Sequence, residues 1–315
     1  MCTAILLLAY GTPSTPDEVE PYFTHIRGGR TPSAEAVTRL EERYQLIGGR
    51  TPLLDITIET AAELQAALDA RAPSSYRTYV GMKHWHPFIG EAVRQMDADG
   101  VRRVIAIVLA PHYSRLSVEG YRAYLDEALE DLAAPPEVRF VQSWHLQPEF
   151  IEMMSDRVTE ALSGFPPGMN EDVCTVFSAH SLPERIRSWG DPYESQLLAS
   201  CAAVAVRAGL AGWRFAWQSA GQTGEPWLGP DIVEYLGVLH AEGVRSVLSV
   251  PIGFLSDHLE VLYDIDHEAT AAARTLGMTL RRTRMPNASP AMIAALEAVI
   301  AGVERESAAR MAAEA

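Results

Sequence analysis

Cysteine is scarce in this chain: Cys2, Cys174 and Cys201 lie far apart, with no Cys-x-x-Cys spacing. That excludes a disulfide scaffold, a zinc knuckle and an iron–sulfur cluster, and fits a reducing compartment. Positive charge is also short, 26 Lys and Arg against 41 Asp and Glu, for a net charge of −15. Nucleic acid and an anionic membrane surface are therefore disfavoured as main partners. A cation, or an anionic ligand in a local basic pocket, is not. Long apolar runs are missing: "VIAIVLAPHY" and "LLASCAAVAV" reach about ten residues, half of what a bilayer requires. The first residues carry no basic n-region, so no signal peptide is expected. No Gly-x-Gly-x-x-Gly follows a strand and no Gly-x-x-x-x-Gly-Lys-Ser/Thr occurs, which disfavours dinucleotide and ATP binding. The expected location is the cytoplasm, without integral membrane association.

What is present is an α/β pattern. The 315 residues are enough for two domains, and 48% hydrophobic with 21% charged residues is ordinary for a globular chain. "TAILLLAYG", "RTYVGMKH", "RRVIAIVLAPHY" and "VRFVQSWH" read as buried strands of one half. "VCTVFSAHS", "RFAWQSAG", "SVLSVPIGF" and "TLRRTRMP" read as those of the other. Strands alternating with helix-period segments predict parallel sheets with right-handed crossovers. "GVRRVIAIVLAPHYS" from Gly100 and "GVRSVLSVPIGFLS" from Gly243 suggest a weak internal repeat. The expected architecture is two similar Rossmann-like domains, each a mostly parallel sheet flanked by helices, facing a shared cleft. The turn-rich "SGFPPGMNED" (163–172) marks the boundary, giving domains 1–165 and 166–315.

Polar residues collect at strand ends, where ligands of such sheets bind. They are Tyr10, Lys83 with His84, and His112 with Tyr113 in the first half. In the second they are His180 with Ser181, Ser219 with Gln222, and Asp257, His258 and Glu260. An imidazole facing several carboxylates can bind a borderline divalent metal or move protons. Each also has a plain alternative, a hydrogen bond to a loop; His25, His145, His240 and His267 read as structural or solvated.

"PIGFLSDHLEVLYDIDHEA" (251–269) is the richest segment. On an α-helix at roughly 100° per residue, Asp257, Glu260, Asp264, His267 and Glu268 share one stripe. Like charges at i,i+4 cost a few tenths of a kcal/mol each. Such a row is expected to have raised, coupled pKa values and to be neutralised by a divalent cation or by shared protons. The basic loops "YFTHIRGGRTP" and "LEERYQLIGGRTPLLD" offer Arg27, Arg30, Arg43, Arg50 and Tyr44 for carboxylates of a flat ligand, or as plain surface. Leu53, Leu54 and Ile56 would be unusually exposed loop hydrophobes there unless something apolar docks on them. Trp227 reads as core.

These motifs resemble one family. "AYGTP" (9–13), "YFTHIRGGR" (22–30), "GMKHWHPF" (81–88), "FSAHSLPER" (177–185), "DPYESQ" (191–196), "WQSAGQTGEPWLGP" (217–230) and "PIGFLSDHLEVLYDID" (251–266) are similar to those of ferrochelatases. The resemblance implies a lyase of haem biosynthesis that inserts Fe(II) into a porphyrin held in the cleft. It makes His180 and Glu260 the catalytic pair and the inner metal site. Tyr10, Arg27, Arg43, Tyr44, Thr51 and Tyr121 become the substrate-binding set, with Thr51 standing where close relatives have serine. Asp264 and Glu268 become an outer site for a hydrated divalent cation such as Mg(II). Fe(II) is substrate, and no prosthetic group is implied. The likeness is to monomeric Gram-positive-type enzymes acting on coproporphyrin III. Protoporphyrin IX, a chelatase for another tetrapyrrole, and a non-catalytic porphyrin or haem carrier are the alternatives.

Overall fold

The structure, a computed structural model, describes residues 2–166, 173–221 and 223–314. In chain order β1 (Thr3–Ala9) precedes α1 (Val19–Ile26), α2 (Ala34–Leu46) and α3 (Leu53–Arg71). β2 (Tyr76–Met82), α4 (Ile89–Ala98), β3 (Arg103–Val108), α5 (Val118–Glu130), β4 (Glu137–Val141) and α6 (Pro148–Ser163) follow. Next come β5 (Val173–His180), α7 (Tyr193–Arg207), β6 (Arg214–Gln218), α8 (Ile232–Ala241) and β7 (Ser246–Val250). A short α9 (Leu259–Leu262), a π-helical turn (Asp264–Ala269), α10 (Thr270–Thr275), β8 (Thr279–Arg282) and α11 (Pro290–Glu314) complete the chain.

All eight expected strands form, in two four-stranded parallel sheets ordered β2-β1-β3-β4 and β6-β5-β7-β8. The order is the same in both, so the repeat is one of topology. Its sequence trace has a physical basis. Gly100 and Gly243 sit at φ +71° and +92° just past α4 and α8. Val101 N–H then donates to the Met96 carbonyl at 3.0 Å, and Val244 N–H to that of Leu239 at 2.9 Å. Both are left-handed helix stops of the kind glycine allows without a Cβ penalty.

The compact units are not contiguous in sequence. One comprises Met1–Ser33, Pro52–Phe150 and Asn287–Ala315, the other Ala34–Thr51 and Ile151–Pro286. A single cut at 165/166 would assign α2, most of α6 and α11 otherwise, and it puts Gly48-Gly49 with the first sheet. Of the turn-rich boundary segment, 167–172 lie outside the described residues. In the first unit, "TAILLLA" is buried throughout, as a strand covered on both faces must be. Leu6 and Leu8 pack with Ile89, Val93 and Met96, while α11 lies on α3. Leu53 and Ile56 form the first turn of α3 and are buried. Helix burial replaces the loop exposure expected for them.

In the second unit, Val176, Ala216 and Val247 of the sheet pack with Ile265, Ala269 and Ala273. This contact settles how the acidic row is held. Val261 and Ile265 are fully buried, and each such side chain contributes about 1.5–3 kcal/mol. That outweighs tenths of a kcal/mol per like-charge pair.

Candidate active site

His180 ends β5, a central strand flanked by β6 and β7. Its Nδ1 is hydrogen-bonded to the Ser181 carbonyl. A carbonyl only accepts, so Nδ1 carries the proton and Nε2 of the neutral ring keeps a lone pair. The buried Tyr193, from the "DPYESQ" motif, donates its hydroxyl to the His180 carbonyl at 3.1 Å and fixes the strand end. Trp227 is half-buried rather than core, with its ring centroid 6.3 Å from that of His180 and tilted by 49°. Its indole N–H donates to Thr223 Oγ1 at 2.8 Å, which explains why an amphipathic ring stays at the surface.

Glu260 lies on α9, beyond β7. The chain reaches it by passing over β5 at Gly253, whose N–H donates to the Ser178 carbonyl at 3.2 Å. A Cβ on Gly253 would stand 2.6 Å from Ala179 Cβ. The Glu260 carbonyl accepts from Gln218 Nε2 at 2.7 Å. Its carboxylate Oε2 lies 3.1 Å from His258 Nε2. His258 Nδ1 already donates to the Ser256 carbonyl at 2.8 Å. The Nε2–Oε2 contact therefore needs a further proton, held by one partner or the other. His258 as the partner of Glu260 is a pairing that sequence spacing did not single out.

The expected single helical stripe is corrected by a π-turn. The Tyr263 carbonyl accepts from both His267 N–H, at 3.1 Å, and Glu268 N–H, at 2.8 Å. The i+5 bond inserts a residue into the turn, a feature frequent at functional sites. Asp257 leaves the row altogether and pairs with Arg282 at 2.8 Å; Asp266 shares that guanidinium at 2.6 Å. Asp264 is only 4% exposed. Burial pushes its carboxyl up to about 7, with Glu260 and Glu268 adding to the rise and the Ser219 hydroxyl and Arg43 opposing it. The expected rise is present at Asp264, but desolvation leads and mutual repulsion is secondary. Ser219 bonds to Asp264 Oδ2 from a left-handed backbone at φ +62°, a strain of about 1–2 kcal/mol for a non-glycine residue. Arg43 lies over the Tyr263 ring at 4.5 Å and 3.7 Å from Asp264 Oδ1. That oxygen is buried without a hydrogen bond. Glu268 and His267 are exposed, His267 stacked on Tyr263. Among the described residues no three of His, Cys, Asp and Glu cluster as a metal cage.

Of the residues expected to bind substrate, Arg43, Tyr44 and Thr51 belong to the second unit, with Tyr44 and Thr51 buried. Arg50, exposed, is there too. Tyr10, Arg27 and Tyr121 belong to the first. Tyr10 is exposed at the end of β1, 4.6 Å from the His84 ring. His84 Nδ1 and His25 Nδ1 are 3.2 Å apart, so one donates and the other accepts. Burial, aided by Lys83 and His25, lowers His84 to about 3, and burial lowers Lys83 to about 8. The Lys83 ammonium lies over the buried Tyr121 ring at 5.0 Å. Arg27 and Arg30 are exposed, Arg27 over Phe23 at 5.7 Å. His112 is buried beside His145 and Phe150, and burial lowers it to about 3. Gln222 lies outside the described residues.

The ferrochelatase family model matches residues 2–303. A ferrochelatase of Herpetosiphon aurantiacus is 48% identical, over 95% of this chain and 98% of its own. Coproporphyrin III ferrochelatases of a Geobacillus species and of Bacillus subtilis are 42% and 40% identical, each over 94% of this chain and 96% of their own. The solved sirohydrochlorin chelatase SirB of Bacillus subtilis subspecies spizizenii, in complex with cobalt, superposes with a TM-score of 0.55 at 11% identity. It covers 94% of this chain and 92% of that one, a likeness of fold alone. Among the described residues, no helix is long and apolar enough to cross a membrane. The chain belongs to the ferrochelatase family, the metal-inserting enzymes of haem biosynthesis.

Proposed function

We propose that this ferrochelatase inserts Fe(II) into coproporphyrin III, with His180 and Glu260 as the inner site. The reaction exchanges one Fe(II) for the two protons of the pyrrole N–H groups. The observation that carries the role of His180 is its tautomer: with Nδ1 tied to the Ser181 carbonyl, Nε2 is the base or iron ligand. Glu260, sharing a proton with His258, is the second acceptor. Asp264, with its carboxyl near 7, exchanges protons at neutral pH and passes them toward the exposed Glu268.

Coproporphyrin III is supported by relatives bearing that substrate in their names at 40–43% identity. Four carboxylates on the ligand also suit Arg27 and Arg43, whose guanidinia stack on aromatic rings. Protoporphyrin IX stays in play because the relatives from Herpetosiphon and Thermus thermophilus are named ferrochelatase without a substrate. Asp264 and Glu268 suit a hydrated divalent cation held through water rather than a direct ligand cage. The test is anaerobic turnover with Fe(II) and each porphyrin, followed by the Q-bands. A higher kcat/KM for coproporphyrin III is expected. Preference for protoporphyrin IX reverses the substrate assignment, and a stoichiometric spectral shift without turnover makes the protein a carrier.

A further inference from the structure

Gln218 is the last residue of β6, 1% exposed, and belongs to no charged or metal-ligating group. Its bonds nevertheless reach both members of the inner site. Its backbone carbonyl accepts from Ser181 N–H at 2.7 Å, the residue after His180. Its side-chain Nε2 donates to the Glu260 carbonyl at 2.7 Å. Its Oε1 accepts from Ser178 Oγ at 2.8 Å, two residues before His180 on β5. The orientation of the amide follows from its partners. The Glu260 carbonyl can only accept, so the NH₂ must face it, which leaves Oε1 for the Ser178 hydroxyl.

The backbone bond continues the β5–β6 pairing one residue past His180 and does not depend on the side chain. The side chain is different. It ties α9, which carries Glu260, to the strand that carries His180. α9 is four residues long and runs into a π-turn, so its own helical bonding is a weak restraint. We infer that Gln218 is a positioning residue that sets the spacing of Glu260 relative to His180, and that Ser178 holds the amide in the one orientation that does so. The inference rests on His180 and Glu260 forming the inner site. Buried amides linking two backbone segments are high-stakes, since removing one partner leaves a buried acceptor unpaired.

Gln218→Met keeps the volume and removes both side-chain bonds. The expected result is a loss of kcat of about 10–100-fold, the range for partners that orient metal ligands, with KM and Kd for coproporphyrin III unchanged. Zn²⁺ affinity, measured without porphyrin, should weaken in parallel. Ser178→Ala frees the amide to rotate and should give the same split with a smaller loss. The double variant should be no worse than Gln218→Met, because the two act as one unit. Ser178→Ala also reads the proposal if Gln218→Met does not fold. Wild-type kcat and Zn²⁺ affinity in either variant overturn the inference, as does an equal weakening of porphyrin and Zn²⁺ binding, which marks general destabilisation. If His180→Ala retains turnover, the inner-site reading fails and this inference falls with it; an inactive His180→Ala beside Gln218 and Ser178 variants that behave as wild type overturns this inference alone.

Discussion

Gly253→Ala is a single-methyl test of how the second unit builds its site. Gly253 does not sit at positive φ, so the substitution tests space alone. The new Cβ would lie 2.6 Å from Ala179 Cβ and 2.9 Å from Ala179 Cα, with His180 N at 3.7 Å. Carbon atoms settle about 3.5–4.0 Å apart, so the 251–258 segment must lift by about 1 Å. Neither obstacle is the end of a flexible chain; both belong to a buried strand. Overpacking of this kind costs about 1–3 kcal/mol. Because the segment leads to Glu260, a shift of about 1 Å predicts a loss of kcat on the order of 100-fold. Thermal unfolding and anaerobic Fe(II) insertion on the same sample give both numbers. Adding Ala179→Gly removes the closer contact and should recover part of the stability. A Gly253→Ala protein with wild-type Tm and kcat would refute the claim that close passage over β5 positions Glu260.

Two further outcomes follow from charge. Asp264 has a folded pKa near 7 against 3.8 unfolded, so the native state holds its proton more tightly. The associated stability is complete below about pH 4 and lost as pH rises through 7. Asp264→Asn removes this slope, and its advantage over wild type in denaturant titrations should grow from pH 4 to 7 by at most roughly 4 kcal/mol; an advantage that does not change with pH contradicts the assignment. Arg27, exposed on the first unit, should when replaced by Ala raise KM for coproporphyrin III several-fold while changing kcat little; an unchanged KM removes it from the ligand site.

How far the sequence announced all this depends on the range of each signal. The eight strands were legible because a fully buried parallel strand is a continuous apolar run, as in "TAILLLA". The two helix stops before β3 and β7 were legible because each requires a glycine. The strand-end position of His180 was legible because an apolar run breaks off at it, and the structure ends β5 there. What was not legible depends on contacts distant in sequence. The placement of α2 in the second unit and α11 in the first leaves no periodicity to read. The π-turn at 264–269 has the composition of an ordinary helix, and only the double acceptance at Tyr263 reveals it. Trp227 has a core-like composition, and its half-exposure follows from its bond to Thr223. Tyr44, Thr51 and Tyr121 are residues the resemblance implies for substrate binding, yet all three are buried, which no spacing rule foretells. Gln218 is silent in sequence because its meaning lies in bonds to residues 40 and 42 positions away.

The most direct test of the account is His180→Ala, with coproporphyrin III affinity and anaerobic Fe(II) insertion measured on one preparation. Porphyrin binding close to wild type with insertion abolished is the predicted result. Turnover at the wild-type rate would show that the imidazole ending β5 neither takes the pyrrole proton nor receives the iron.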